Sequence, residues 1–351
     1  MTIAAVVLGA SGYVGGEILR LLASHPHFEL ASAISESNKG NSIASVFPNL
    51  AGACGNMPFS ALEKCLDTVD KGSDLALFSA APHGASATAI ASALDAAADR
   101  DINVHVVDSS ADFRYNSAAA FEAVYGMPHP EPSLVSEFSC AVPEHASAAE
   151  TAHVGHPGCF ATAVLLAAVP LVHADLIESE IFVSGITGST GSGRRPQAGT
   201  HHPERHSNLY AYKPLSHRHV PEIEASIENA CQRRASVHFV PHSGPFARGI
   251  YVTLQATMKS ARPADEIRNT IQAYYKESDF VSVVDGTPRL KDVVASNDAR
   301  IGIACDGDTV VVMSVIDNLV KGAAGGAVQW MNRLWSLPET TGLTAASPAW
   351  T

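Results

Sequence analysis

One cysteine and a pair of histidines carry the reactive chemistry of this sequence. Cys159 stands in His156-Pro157-Gly158-Cys159-Phe160-Ala161-Thr162-Ala163, at the head of a long apolar run. A thiol at the start of a helix meets its positive end, which lowers the thiol pKa and favours the nucleophilic thiolate. Cys54, Cys65, Cys231 and Cys305 read instead as small buried hydrophobes. A nucleophilic thiol needs a proton partner, and Ser216-His217-Arg218-His219-Val220-Pro221-Glu222-Ile223 supplies two imidazoles beside a helix opened by Pro221. In one reading His219 is the acid/base, oriented by Glu222, with His217 the alternative. In the other, Glu222 is a first-turn residue favoured by the helix dipole. The histidines at 201, 202, 206, 217 and 219 lack the accompanying ligand spacing of a zinc site, and the six cysteines contain no CxxC pair, so no metal and no disulfide framework is expected.

The amino-terminal run 3–8 ends in Gly9-Ala10-Ser11-Gly12-Tyr13-Val14-Gly15, a turn that opens a helix. Missing side chains let the backbone approach a pyrophosphate, whose charge the helix N-terminus favours. At the end of the second strand the sequence reads Ser35-Glu36-Ser37-Asn38-Lys39. Glu36 points to NAD, whereas the two serines and Lys39 suit a 2′-phosphate. A short-chain dehydrogenase would need Tyr-x-x-x-Lys, and no tyrosine here has a lysine four residues later. Further on, Gly188-Ser189-Thr190-Gly191-Ser192-Gly193-Arg194-Arg195 offers backbone N–H groups and guanidinium to an anion, or is simply a flexible glycine loop.

The elements that must position these groups follow from hydrophobic periodicity. Strands at 3–8, 28–34, 75–78 and 104–107 alternate with helices at 12–23 and 85–97, which predicts a parallel sheet. Beyond residue 180 come longer β-branched runs at 181–186, 237–240, 250–258, 281–284 and 310–316, the texture of an α+β domain with a mixed or antiparallel sheet. A last helical pattern covers 318–335, and the tail after Leu337 reads as loosely held.

The 351 residues suggest two domains. A net charge of −12 without any basic block removes the driving force for nucleic-acid or anionic-membrane binding. The longest apolar stretch, 161–172, is short of the roughly 20 residues a membrane helix needs. No basic leader precedes the first strand, so a cytoplasmic small-molecule enzyme is expected.

With these motifs in hand, the chain from residue 3 to about 332 resembles the N-acetyl-gamma-glutamyl-phosphate reductases of arginine biosynthesis, within the aspartate-semialdehyde dehydrogenase superfamily. Further segments carry the likeness: Ala81-Pro82-His83-Gly84, Val107-Asp108-Ser109-Ser110-Ala111-Asp112-Phe113-Arg114, Tyr125-Gly126-Met127-Pro128, Ala211-Tyr212-Lys213, Pro241-His242, Arg248-Gly249-Ile250 and Asp317-Asn318-Leu319-Val320-Lys321-Gly322-Ala323-Ala324-Gly325. The resemblance implies a Rossmann-type NADP-binding domain at 1–157, completed by 318–351, and a catalytic and dimerisation domain at 158–317. It implies that Cys159 accepts the acyl group of a small acyl phosphate and that NADP rather than NAD is held by the glycine turn, the serines and Lys39. Pro82 and Asn318 would lie on the cofactor side. Arg114, Ser189, Arg194 and Tyr212 become candidates for the substrate's carboxylate and phosphate, and a homodimer or homotetramer is implied. Thr200-His201-His202-Pro203-Glu204-Arg205 looks more like the lysine-biosynthetic branch, whose members reduce an aminoadipyl phosphate on an acidic carrier protein; Arg194, Arg195 and Arg205 would have to supply a local basic patch for it. A redox-sensing NADP-binding protein without turnover is the alternative from another class.

Overall fold

The computed structural model describes residues 2–146 and 151–349. Two compact units divide the chain, and both are assembled from separated segments. The first consists of Met1–Ala141, Ala148–His156 and Ala323–Thr344; the second of Val142–Ser147, Pro157–Gly322 and Ala345–Thr351.

The first unit is built on β1 (Ile3–Leu8), β2 (Phe28–Ile34), β3 (Asp74–Ser79), β4 (Asn103–Asp108), β5 (Phe138–Cys140) and β6 (His153–Gly155). Among the described residues these form one sheet in the order β2-β1-β3-β4-β6-β5, parallel throughout. Helix α1 (Tyr13–Leu22) returns the chain from β1 to β2, and α2 (Ser86–Ala98) connects β3 to β4. With β2 on one side of β1 and β3 on the other, the strand order reverses at the carboxyl end of β1, the place where open parallel sheets bind ligands. The three-residue β5 and β6 escaped the sequence reading because so short a run has no periodicity.

The second unit carries β7 (Ile177–Thr187), β8 (Tyr210–Ala211), β9 (Ser236–Ser243), β10 (Ile250–Met258), β11 (Val281–Val283), β12 (Ala299–Asp306) and β13 (Thr309–Ile316). Their order is β11-β12-β13-β10-β7-β9-β8. The sheet is mixed: β7/β9 and β11/β12 run parallel, the other pairs antiparallel.

Helix α4 (Cys159–His173), numbered after α3 (Ala118–Tyr125) of the first unit, is the centre of the second core. Every residue from Phe160 to Val172 is buried, as befits a helix apolar on all sides. Helices α5 (His219–Cys231) and α6 (Ala264–Tyr274) flank it. Pro170 lies inside α4 and has no N–H for the carbonyl of Leu166. The Tyr275 hydroxyl donates to that carbonyl instead, at 2.9 Å.

Two expectations are corrected. The helix read at 318–335 is broken: 320–324 form a π-turn, with the Gly322 N–H bonded to the Asp317 carbonyl at 3.0 Å, and α7 begins only at Gly325 (Gly325–Leu334). Residues 318–322 consequently stay with the second unit, held by side-chain bonds of Asp317 and Asn318, and 345–349 return to it. Helix α5 starts at His219, two residues before Pro221, because a proline in a helix's first turn has no intrahelical acceptor to lose.

Candidate active site

In the second unit, Gly158 is the N-cap of α4 in an extended conformation, and no side chain caps the helix through it. Pro157 and Gly158 of the turn are buried, and Cys159 is partly exposed. Two groups fix this turn. The Glu222 carboxylate of α5, fully buried, accepts the Gly158 N–H at 2.6 Å. Gly322 of the π-turn lies against the cysteine: a Cβ placed there would stand 2.8 Å from the Cys159 Cβ. The π-turn is anchored by the buried Lys321, paired with the carboxylate of Glu144 and lying 5.3 Å from the ring centre of Phe280.

His217 and His219 are both buried, with ring centroids 4.7 Å apart and their planes nearly perpendicular. His217 Nδ1 accepts the N–H of His219 at 3.2 Å, which leaves Nε2 to carry the proton of the neutral ring. Phe160, Phe239 and Tyr212 surround that ring, and burial, aided by the positive charges of Arg218 and Lys213, pushes its pKa down to about 4. Tyr212 also feels the charge of Cys159; burial first and that charge second push its phenol well up. Cys159, His217, His219, Tyr212 and Glu222 therefore belong to one neighbourhood. Glu222, read either as orienting His219 or as a first-turn residue, accepts the Gly158 N–H and so fastens the cysteine turn.

The loop from Gly188 to Gly193 does not offer the amide cradle anticipated for it. The N–H groups of Gly188, Ser189 and Thr190 are bonded to the carbonyls of Gly249, Phe246 and Ala247, and those of Gly191 and Gly193 to the loop itself. A Cβ on Gly188 would meet the Ala247 oxygen at 2.4 Å, so glycine is what permits this backbone contact. Ser189 is partly exposed and Arg194 exposed. Asn318 ties the loop down: its Oδ1 accepts the Gly249 N–H at 2.7 Å and its Nδ2 donates to Thr190 Oγ1 at 3.0 Å. The neighbouring Asp317 carboxylate accepts from Arg248 Nε and from the amides of Ala295, Leu319 and Val320. Arg248, Asp317 and Gly322 stand in segments that carry the family likeness, but the Asp317–Arg248 pairing and the approach of Gly322 to Cys159 have no local signal in the sequence.

In the first unit the three glycines of the turn have three different reasons. Gly9 adopts φ +67°, and a Cβ would strike Ala80 and Ala81 at 2.6 Å, so it permits the contact of β1 with the loop leading past Pro82. Gly15 packs the first turn of α1 on the Gly9–Ala10 backbone, with Ala10 Cα 2.6 Å from its would-be Cβ. Gly12 is different: its nearest neighbour would be the Gly9 oxygen at 3.5 Å, leaving open space in front of an α1 start without side-chain cap. Ser11, Tyr13 and Val14 border that space, partly exposed. An uncapped helix start behind an open glycine fits a dinucleotide pyrophosphate. At the end of β2, Ser11 Oγ lies 2.7 Å from Ser35 Oγ and Ser35 Oγ 3.4 Å from Ser37 Oγ. Glu36 accepts the Leu62 N–H at 2.9 Å, and Lys39 pairs with Glu63 at 3.2 Å in solvent.

The remaining candidates of this unit are structural in part. Arg114 donates from Nε to the His156 carbonyl and from Nη2 to that of Ser109, both at 2.9 Å, joining the β4 and β6 loops. Asp112 receives the N–H groups of Gly84 and Ala87 at 2.7 and 2.9 Å, capping the start of α2. Asp108 is wholly buried beside Ser86 and Ser110, and burial pushes its pKa up to about 6. No group of acidic, cysteine or histidine side chains fit to hold a metal ion occurs among the described residues.

Two family models match the chain: a semialdehyde dehydrogenase NAD-binding domain over residues 4–137 and a semialdehyde dehydrogenase dimerisation domain over 159–318. An N-acetyl-gamma-glutamyl-phosphate reductase of Symbiobacterium thermophilum is 39% identical, each chain covered in full. One from Methanopyrus kandleri is 38% identical over 96% of both chains. A probable chloroplastic one from Arabidopsis thaliana is 35% identical over 96% of this chain and 83% of its own. Among solved structures, aspartate semialdehyde dehydrogenase II of Vibrio cholerae superposes with a TM-score of 0.70 at 17% identity, covering 96% of this chain and 99% of that one. The Candida albicans enzyme with NADP gives 0.69 at 14%, over 96% and 99%. The first unit thus has the nicotinamide-cofactor fold, and the chain belongs to the N-acetyl-gamma-glutamyl-phosphate reductases of the semialdehyde dehydrogenase family.

Proposed function

We propose that the protein catalyses the NADPH-dependent reduction of N-acetyl-gamma-glutamyl phosphate to N-acetylglutamate 5-semialdehyde, with release of phosphate. The observation that carries this reading is Cys159 at the uncapped start of α4, its turn held by Glu222 and Gly322 beside a histidine pair. The helix start favours the anionic sulfur. The sulfur attacks the acyl-phosphate carbon, the C–O bond to phosphate breaks, and a thioester remains on Cys159. When bound, NADPH supplies the hydride that reduces this carbon. First-turn N–H groups of α4 stabilise the oxyanion that develops and a histidine protonates it; the same histidine takes that proton back as the carbon–sulfur bond breaks, so the carbonyl re-forms and the aldehyde leaves the Cys159 thiolate. His219 is the better proton carrier, because His217 is held neutral by burial and has Nδ1 engaged in accepting the His219 amide.

NADP is favoured over NAD because Glu36, the residue that would hold a ribose hydroxyl, is drawn to the Leu62 N–H, while serines and Lys39 stand at the strand end. Pro82 and Asn318 are retained as cofactor-side residues, and Arg114, Ser189, Arg194 and Tyr212 as substrate contacts. The names of the relatives favour the N-acetylglutamyl chain over a carrier-linked aminoadipyl one and favour an enzyme over a sensor. A cytoplasmic homodimer or homotetramer is the expected state; no described helix is long and apolar enough to cross a membrane.

The test is reduction of NADP by N-acetylglutamate semialdehyde with and without inorganic phosphate. Turnover that requires phosphate, and that disappears in Cys159→Ser with NADP affinity unchanged, is the expected result. Cofactor binding without turnover in the unmodified protein would overturn the reading.

A further inference from the structure

Arg205 breaks the pattern of the segment it stands in. From His201 to Tyr210 the chain is exposed, but Arg205, last residue of the short helical turn His202–Arg205, is only 8% exposed. Arginine is rarely buried unless an anion accompanies it. Here Nη1 donates to Ser243 Oγ at 2.6 Å, while Nε and Nη2 are both shut off from solvent and have no acceptor. Among the described residues no carboxylate pairs with it. A buried, uncompensated guanidinium is costly, and its presence calls for an anionic partner from outside the chain.

The two unsatisfied nitrogens identify the partner's shape. Nε and Nη2 project side by side from one edge of the guanidinium plane, the fork that grips two oxygens of a carboxylate or phosphate. The position identifies its source. Ser243 is the last residue of β9 and pairs with Thr187, the last of β7. Alternation places Phe239, Pro241 and Ser243 on one face of the sheet, and Gly185 and Thr187 beside them. That face lies against Phe160, the residue after Cys159: its ring is 4.9 Å from that of Phe239, and a Cβ on Gly185 would touch it. The fork is thus fixed at the strand ends of the face on which the nucleophile's helix begins. Tyr212, which feels the charge of Cys159, takes its N–H to the Pro241 carbonyl two residues before Ser243.

We propose that Arg205, held by Ser243, is the oxyanion subsite of the substrate, gripping either the carboxylate of the acyl chain or the phosphate that the thiol displaces. The proposal rests on the reaction given above. Opening of the exposed 191–204 segment would admit the anion, which then neutralises the buried charge.

The experiment measures Arg205→Gln, Arg205→Lys and Ser243→Ala in the semialdehyde-plus-phosphate direction, with KM determined separately for the two co-substrates. Butanal, which has the aldehyde but no carboxylate, serves as control. A carboxylate subsite raises KM for the semialdehyde about ten- to a hundredfold in Arg205→Gln, with kcat within a fewfold and butanal turnover unchanged. A phosphate subsite raises KM for phosphate instead, with either aldehyde. Arg205→Lys and Ser243→Ala fold with one buried group altered and give smaller shifts of the same kind. Calorimetric titration with N-acetylglutamate and with inorganic phosphate needs no turnover, so weaker binding in Arg205→Gln supports the subsite even if the reaction proposed above fails. Unchanged KM values and unchanged anion binding in all three variants would overturn the proposal and leave Arg205 a pin for its loop.

Discussion

The Glu222 carboxylate accepts the N–H of Gly158 at 2.6 Å, so the helix that begins at His219 also holds the residue before Cys159. Both partners are buried, and removing the acceptor would strand a buried N–H at a cost of about 1–3 kcal/mol. Glu222→Ala is expected to be destabilised by that amount and to lose most turnover, since the Cys159 turn loses its fastening. Glu222→Gln retains an oxygen for the same N–H and should recover the fold and a substantial share of kcat. Urea unfolding and steady-state kinetics on the two variants read this directly; an alanine variant as active as the parent would refute it.

Gly322 makes a complementary prediction from the other side of the sulfur. A methyl group there cannot avoid the Cys159 Cβ at 2.8 Å, and the Cys159 Cα is only 3.1 Å away. Gly322→Ala must push either the π-turn or the cysteine aside. Overpacking of this kind costs about 1–3 kcal/mol, and misplacing a reacting atom by about 1 Å can cost on the order of a hundredfold in rate. The variant should fold, bind NADP and alkylate at Cys159, yet show kcat reduced roughly a hundredfold. Full activity would mean that the turn yields freely and does not position the thiol.

What the sequence disclosed and what it hid divide along a physical line. Local signals were legible: the strand-turn-helix around Gly9 to Gly15, and the helix that begins at Cys159, announce themselves within a few neighbouring residues. Partnerships across the fold were not. Nothing near Glu222 reveals that its acceptor role is for Gly158, 64 residues earlier. The glycine loop after β7 reads as an anion cradle until the strand-end segment Phe246–Gly249 is seen to consume its amides. The π-turn at 320–324 interrupts a regular apolar pattern because Asp317 and Asn318 are fixed elsewhere, which hydrophobic periodicity does not record.

The two histidines differ in how their rings are held, since burial keeps His217 neutral and its Nδ1 accepts the His219 N–H. His217, with its pKa pushed down to about 4, stays neutral at any working pH, so replacing it with asparagine should cost stability and alter turnover without moving the pH profile. His219→Asn should lower kcat by about 10²–10⁴ and remove a limb of the pH–rate curve. The opposite assignment follows if the limb disappears only in the His217 variant.

Stability should fall with acid. His145, His153 and His217 all have pKa values lowered from 6.5 to about 4, chiefly by burial. Between those values the unfolded chain takes up protons that the folded chain refuses, so unfolding becomes easier as pH drops through that window. Asp108 works against this: raised from 3.8 to about 6, it takes its proton more readily when folded and adds stability in acid. Three groups against one leave a net loss on the order of several kcal/mol between neutral pH and pH 4. Urea midpoints at pH 7.5 and 5 test it, and His217→Gln should flatten part of the decline. A flat profile would mean that these rings protonate in place.

Cofactor preference rests on how the end of β2 is occupied. Glu36 is held by the Leu62 N–H at 2.9 Å, and the exposed Lys39–Glu63 pair is worth at most about 1 kcal/mol. A 2′-phosphate can therefore recruit Lys39 at little cost, and the hydroxyls of Ser35 and Ser37 can donate to it. Lys39→Met should raise KM for NADPH about tenfold and leave KM for NADH nearly unchanged. Ser37→Asp places a second carboxylate that Leu62 does not restrain, repelling the phosphate and accepting from a ribose hydroxyl, so the ratio of kcat/KM values should swing toward NADH by more than tenfold. A parent protein that already prefers NADH, with Lys39→Met silent, would show that Glu36 leaves Leu62 for the ribose when cofactor binds.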